Sequence, residues 1–216
     1  MILQKKLSIC ADDFGITEKV NKVIIKLIEA KRITETSCMV ISDFFFEDAK
    51  QLIKYRNNVG IGIHLTLTDF IPLSKIKSLT NNGKLIGVTN LFMKSFIRNY
   101  SESEIYKEIN LQLDKFEKAL GFRPDFIDGH HHIHQLPLIN NIIIDIIKKR
   151  YPDTYPWIRN SNESFFRIFK RKTSIIKSIL LSVMGVKIKK LAKDNSIKTN
   201  NGFSGVYNFS IDKDYG

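Results

Sequence analysis

Short apolar runs in this chain alternate with longer stretches whose apolar residues recur every three or four positions, the marks of buried strands and amphipathic helices. Leu7 to Ala11 reads as a first strand, ending in a polar turn at Asp12-Asp13-Phe14-Gly15. Thr17 is placed to cap a helix with Val20, Val23, Ile24, Leu27 and Ile28 on its apolar face. Thr36 to Ile41 reads as a second strand, Glu47 to Tyr55 as a second helix, and Val59 to Leu67 as a third strand with His64 near its C-terminal end. Residues 70–98 carry Pro72 and Asn81-Asn82-Gly83, which is turn chemistry, and read as a long excursion. Ser101 and Glu104 form a capping-box pattern ahead of a helix with Ile105, Ile109, Leu113, Phe116 and Leu120 on one face, stopped by Gly121. Pro124 to Asp128 is a fourth strand leading into His130-His131-His132-Ile133-His134. Pro137 is expected in the first turn of a helix bearing Ile142, Ile143, Ile146 and Ile147, and Tyr155 to Arg159 is a fifth strand.

Strands alternating with helices imply βαβ units, a parallel sheet and an α/β fold. No linker breaks the pattern before about residue 160, and residues 1–216 are expected to form one domain. Residues 163–200 stand apart as basic and helical. Much of the net charge of +12 lies there, at Arg167, Lys170, Arg171, Lys172, Lys177, Lys187, Lys189, Lys190, Lys193 and Lys198. Scattered lysines at helical spacing read as a solvated surface, which makes a nucleic-acid partner secondary. With 43% hydrophobic residues the chain can build a core. No apolar run reaches the ~18 residues of a membrane span, and the start through Gln4, Lys5 and Lys6 lacks the pattern of a signal peptide. The expectation is a cytoplasmic protein without a membrane partner, in which Cys10 and Cys38 are buried free thiols.

Candidate chemistry concentrates at three strand ends. The five histidines are His64 and the cluster His130, His131, His132 and His134, and each location follows a strand. Asp12 and Asp13 follow the first strand. The C-terminal ends of parallel strands converge on one rim, where ligands bind. One carboxylate and two imidazoles suit Zn²⁺ and related divalent ions while leaving positions open for water and substrate. A second, adjacent carboxylate is placed to act as general base. Adjacent side chains on an extended backbone point opposite ways, so one Asp would face the metal and the other the water. If the strand continues past Asp128, the same parity puts Asp128, His130, His132 and His134 on one face and His131 on the other. His130, nearest the strand end, ranks first as ligand; His132 and His134 are left to orient ligands or meet substrate. There is no G-x-S-x-G elbow and no phosphate-cradling glycine loop.

Asp12-Asp13-Phe14-Gly15, Gly62-Ile63-His64-Leu65-Thr66-Leu67-Thr68 and Asp128-Gly129-His130-His131-His132-Ile133-His134 occur in the order that resembles the YdjC-like carbohydrate deacetylases of the ChbG and HpnK type. Ile33-Thr34-Glu35-Thr36-Ser37 and Gly121-Phe122-Arg123-Pro124 agree, and the similarity runs from about residue 6 to 160, then faintly to Gly205. The resemblance implies a (β/α) barrel related to polysaccharide deacetylases and removal of acetyl from an N-acetylated sugar with Mg²⁺ or Zn²⁺. It implies Asp13, His64 and His130 as metal ligands and Asp12 as base, with the two Asp roles open to exchange. Arg159 falls near the site of such a family, and with His134 is a candidate for substrate contact. Relatives run on to a late His-Pro pair, whereas this chain ends at Gly216 and carries Asn200-Asn201 where many relatives have an Asp. A barrel incomplete at its C-terminus is therefore expected.

The resulting expectation is a metal-dependent carbohydrate deacetylase, with His132 or His134 protonating the departing amine and a homodimer as a candidate assembly. Three rivals stand beside it. One is a metal-holding sugar-binding protein without turnover; another is a polyanion binder acting through residues 163–200. The third is a metallophosphoesterase. Phe14, Phe70, Phe92 and Trp157 read as core residues first and as sugar-stacking surfaces second.

Overall fold

The computed structural model describes residues 7–171 and 174–205; Gln4 to Lys6 and Lys172 lie outside the described residues. Its centre is a five-stranded sheet of β1 (Cys10–Phe14), β2 (Glu35–Cys38), β3 (Gly60–Leu65), β6 (Phe126–Gly129) and β7 (Trp157–Ile158), in that spatial order and parallel throughout. The helices are α1 (Glu18–Glu29), α2 (Asp43–Ile53), α3 (Val88–Ile97), α4 (Glu102–Leu120), α5 (Ile139–Arg150), α6 (Phe165–Arg171) and α7 (Ile175–Asp194). β4 (Thr80–Asn81) and β5 (Lys84–Leu85) form a separate antiparallel hairpin. This is an α/β fold with a parallel central sheet. Beyond α7 the chain returns to the sheet, where Thr199 bridges Ile158 in parallel.

β3 shows why the strand runs read as continuous rather than alternating: Ile61, Ile63 and Leu65 are fully buried, and its neighbours Gly62 and His64 are buried too. A parallel strand covered on both faces has no solvent side to encode. Helix caps follow the chain chemistry. Thr17 and Ser101 accept the N–H groups of Val20 and Glu104, and Gly121 closes α4 in the left-handed region at φ 79°.

Several expectations shift on the structure. β1 does not end before the acidic pair; it continues through Asp12 and Asp13 to Phe14, and the turn begins at Gly15. Gly15 has φ +103°, and a Cβ there would come 2.5 Å from the carbonyl oxygen of Met39. On α1, Val23 is exposed while Ile25 and Asn21 are buried, because Asn21 is pulled inward by the Gly15 N–H, the Phe44 carbonyl and Asp48. Pro137 lies outside α5, whose N-cap is Leu138 at φ 65°. Cys38 is buried and Cys10 half-buried; both are free thiols.

Residues 70–98 are not a bare loop. Asn82 and Gly83, at φ 49° and 78°, form the hairpin turn between β4 and β5, the positive pair that a two-residue hairpin requires. Three polar residues of α4 at four-residue spacing tie down this excursion and the chain that enters it from β3. Glu104 accepts from Ser78, Glu108 accepts the N–H groups of Leu73 and Ser74, and Gln112 bonds both the N–H and the carbonyl of Thr66. The Glu104 carboxylate therefore bonds the excursion, and the Ser101 N–H goes to Ser78 Oγ. Fixing residue 66 immediately after β3 also fixes the strand end that carries His64.

Candidate metal centre

The bulge in β1 is the local feature that shapes the site. Ala11 pairs with Thr36 and Phe14 with Cys38, so Asp12 and Asp13 together stand opposite Ser37 alone. Asp13 adopts φ 66°. The alternation expected of an extended pair is thus broken, and the two carboxylates are sent to different partners on the same rim.

Asp13 meets the histidines. Its Oδ1 lies 3.3 Å from His64 Nε2 and 3.2 Å from His130 Nδ1. Ligand atoms of Asp13, His64 and His130 all fall within 4.8 Å of one another, close enough to hold one ion. Burial pushes the Asp13 carboxyl upward, but the His130 hydrogen bond and the field of His64 outweigh it and hold it below its ordinary value.

His64 is aimed from behind. Its Nδ1 lies 2.8 Å from Asp128 Oδ1, and Ser37 Oγ sits 3.2 Å from the same nitrogen while donating to the same Asp128 oxygen. An imidazole whose inner nitrogen is held by a carboxylate presents the outer one in a fixed direction, the arrangement that supports metal-binding histidines. Burial works against charge on His64, yet the Asp128 carboxylate prevails and lifts its pKa to about 9. Asp128 is correspondingly driven well below the carboxylate range: burial opposes its charge, while Arg159 and His64 favour it. A second grouping, Asp12, His64 and Asp128, also lies within 4.8 Å. Its Asp128 is fully buried and already engaged by Ser37 and His64, so the grouping with Asp13 and His130 is the better fit to a divalent ion. Two imidazole nitrogens and one carboxylate oxygen are a suitable donor set.

Asp12 meets Arg159. Nη1 and Nη2 of the guanidinium donate to its two oxygens at 2.7 and 2.9 Å, a fork-to-fork pair. Arg159 Nη1 also lies 2.7 Å from Asp128 Oδ2, an ion pair too oblique for a hydrogen bond. Burial opposes the charge on Arg159, but Asp128 and Asp12 overcome it and raise its pKa. Only 6% of Arg159 is exposed, so its place is behind Asp12.

The rest of the histidine cluster does not follow strand parity. β6 ends at Gly129, and residues 130–135 form a 3-10 turn in which His131 and His132 take φ 54° and 60°. His131 is exposed, lies tilted against His130 at 4.0 Å between ring centres and faces Thr68 and Asp69. His132 Nδ1 pairs with Ser161 Oγ at 3.1 Å; burial, then the fields of His134 and Arg159, hold its pKa down at about 3. His134 has no exposed surface and donates from Nε2 to the carbonyl oxygen of Arg159 at 2.8 Å. Burial lowers its pKa to about 4. His134 thus props the strand end that carries Arg159 and offers no surface to a ligand. Of the aromatics singled out above, Phe14 is core, Trp157 stacks on Phe126, Phe92 is half-buried, and Phe70 sits edge-on to His130 at 6.1 Å.

Ser37 and Asp128 are the site residues that pattern reading left without a role. The signal was present: Ser37 ends the Thr36-Ser37 echo on β2, and Asp128 opens the histidine motif. Neither shows its purpose until β2, β3 and β6 lie side by side.

Comparisons with known proteins place the chain as a whole. The family model described as YdjC-like protein matches residues 6–214. A chitooligosaccharide deacetylase of Proteus mirabilis is 35% identical over 144 residues, 67% of this chain and 56% of that protein. A carbohydrate deacetylase of Brevibacillus brevis is 35% identical over 160 residues, 73% of this chain and 62% of that protein. The chain thus spans about three fifths of the length of these two relatives. A crystal structure from Enterococcus faecalis V583, described as a candidate cellobiose-phosphate cleavage protein, superposes with a TM-score of 0.68 at 26% identity, covering 91% of this chain and 67% of that one. With the three motifs, their shared rim and a family match over nearly the whole sequence, this chain belongs to the YdjC-like family.

Proposed function

We propose that the chain acts as a metal-dependent hydrolase that removes acetyl groups from N-acetylated sugars. The observation that carries this reading is the convergence of His64 Nε2 and His130 Nδ1 on Asp13 Oδ1, with a second carboxylate, Asp12, held beside them by Arg159. The relatives' names, chitooligosaccharide and carbohydrate deacetylase, select the acetylated sugar from the amides such a site could cleave.

Asp13, His64 and His130 would hold the ion. A divalent cation there supplies polarisation of the acetyl carbonyl and acidifies a water molecule. The two nitrogen donors suit Zn²⁺ better than Mg²⁺, which prefers oxygen. Asp12 is the base. A carboxylate oxygen of Asp12 lies within 4.8 Å of a His64 ring nitrogen, so it borders the ligands without displacing them. Arg159, donating to both of its oxygens, fixes it in orientation. Water attacks the acetyl carbon as its proton passes to Asp12; the C–N bond then breaks, and the amine leaves with that proton. We assign both transfers to Asp12. His132 is held neutral and His134 has no surface, so neither histidine is placed to carry a proton to the amine at neutral pH. His132 instead stands at the edge of the site against Phe203, 5.6 Å between rings.

The same reading extends to the architecture. Strands laid down in the order β1-β2-β3-β6-β7, with Thr199 next, follow the sequence in which a (β/α) barrel is built. We take residues 1–216 as one domain of that kind. The test is acetate release from N,N′-diacetylchitobiose by the purified chain with added Zn²⁺ or Mg²⁺ and with EDTA. Metal-dependent release supports the proposal. Stoichiometric metal binding with no acetate, while a generic phosphoester is hydrolysed, overturns the choice of substrate.

A further inference from the structure

We propose that the face formed by α6 and α7 docks on an anionic membrane surface. From Ser164 to Lys193 the sequence carries nine lysines and arginines and no aspartate or glutamate. That imbalance alone would suit any polyanion. What narrows it is the apolar material left outside. Phe166 and Ile176 are 77% and 85% exposed, and Phe165, Phe169, Leu180 and Val183 are exposed beside them.

These positions are ordered. On α7, Ile176, Leu180 and Val183 fall at i, i+4 and i+7, one stripe of the helix. The opposite side, through Leu181, Met184 and Ile188, is buried. Phe165 of α6 and Val183 of α7 line one groove of about 360 Å³ together with Glu163 and Arg167, so one exposed apolar residue of each helix meets the other across it. Lys177, Lys187 and Lys190, all exposed, flank the stripe. An apolar band between basic side chains is the pattern that lies in the interface plane of an anionic bilayer. α7 has 20 residues, but with five lysines it cannot span, and no helix among the described residues is long and apolar enough to cross a membrane.

The other occupants fit less well. Nucleic acid would pair with the lysines and stack on the phenylalanines, but has no use for exposed Ile176, Leu180 and Val183. A second copy would bring two strongly basic segments face to face. The inference is independent of the deacetylase reading, because it uses none of Asp12, Asp13, His64 or His130.

The experiment is co-sedimentation of the full chain with phosphatidylcholine vesicles and with vesicles in which about a third of the lipid is phosphatidylglycerol. Binding is expected to be at least about tenfold stronger to the anionic vesicles and to weaken when salt is raised from about 0.1 to about 0.5 M. The Phe166→Asp/Ile176→Asp variant, folded by its melting temperature, is expected to lose it, and His64→Ala to keep it. Should that variant fail to fold, Lys187→Glu/Lys190→Glu is expected to weaken binding at least about threefold. No preference for anionic vesicles overturns the proposal. So does binding that both double variants leave unchanged, or a dimer in solution that Phe166→Asp/Ile176→Asp abolishes.

Discussion

Asp128 holds Nδ1 of His64 at 2.8 Å, so the nitrogen turned toward Asp13 is Nε2. A buried carboxylate on one strand thereby sets the direction of a candidate metal ligand on the next. Asp128→Asn keeps the shape and removes the charge. Metal affinity is expected to fall about 10–100-fold, measured by competition with a chromophoric chelator. The His64 pKa, now about 9, is expected to move down toward its ordinary 6.5 in a histidine NMR titration.

Arg159 grips both oxygens of Asp12. Lysine keeps the charge but cannot form the two-pronged contact. Arg159→Lys is expected to lower kcat for acetate release by up to about 10²-fold through misplacement of the base, with metal affinity changed less than threefold. Equal kcat in the two proteins would remove Asp12 from the reaction.

His134 gives a pH signature of stability. Its folded pKa of about 4 lies below the ordinary 6.5 because it is buried. As pH falls through 6.5 the unfolded chain takes a proton that the folded chain refuses, so stability is lost, and the loss levels off below about pH 4. Between pH 7 and 4.5 this single group accounts for up to about 2.5 kcal/mol. His134→Gln, which retains a donor for the Arg159 carbonyl, is expected to be less sensitive to acid by that amount in urea unfolding. An unchanged difference between the two pH values would contradict the assignment.

Gly15 serves geometry alone. Its φ of +103° and the 2.5 Å approach of an added Cβ to the Met39 carbonyl leave no room for a side chain. Gly15→Ala is expected to cost about 2–4 kcal/mol, combining left-handed strain with overpacking, read as a lowered melting temperature.

How much of this could be read from the chain differs by feature. β3 announces itself as an apolar run and β6 as the short segment between Pro124 and the histidines, and the parallel order follows from the alternation of strands with helices. The strand ends are less legible: β1 was expected to stop at Ala11, because a bulge that carries two aspartates within a strand looks the same in sequence as a polar turn. Parity failed at His132 for a related reason. It assumes an extended chain, and nothing in five residues of histidine and isoleucine announces two left-handed ones. An aspartate of the Asp12-Asp13 pair, His64 and His130 were read together because three strand ends share a rim; the choice of Asp13 came from the family resemblance, and the structure brings Asp13, His64 and His130 together. Ser37 and Asp128 were not assigned because a supporting residue is defined by what it touches. The exposed face of α6 and α7 was read only as charge, since the helical pattern does not say which apolar positions remain uncovered.

The most direct test of the proposed metal centre is the number of ions bound per chain, measured by calorimetric titration of Zn²⁺ into the EDTA-stripped protein and into Asp13→Ala and His64→Ala. The structure predicts one tight site in the parent chain, weakened at least about 10²-fold by either substitution. One tight site of equal affinity in all three proteins would contradict it.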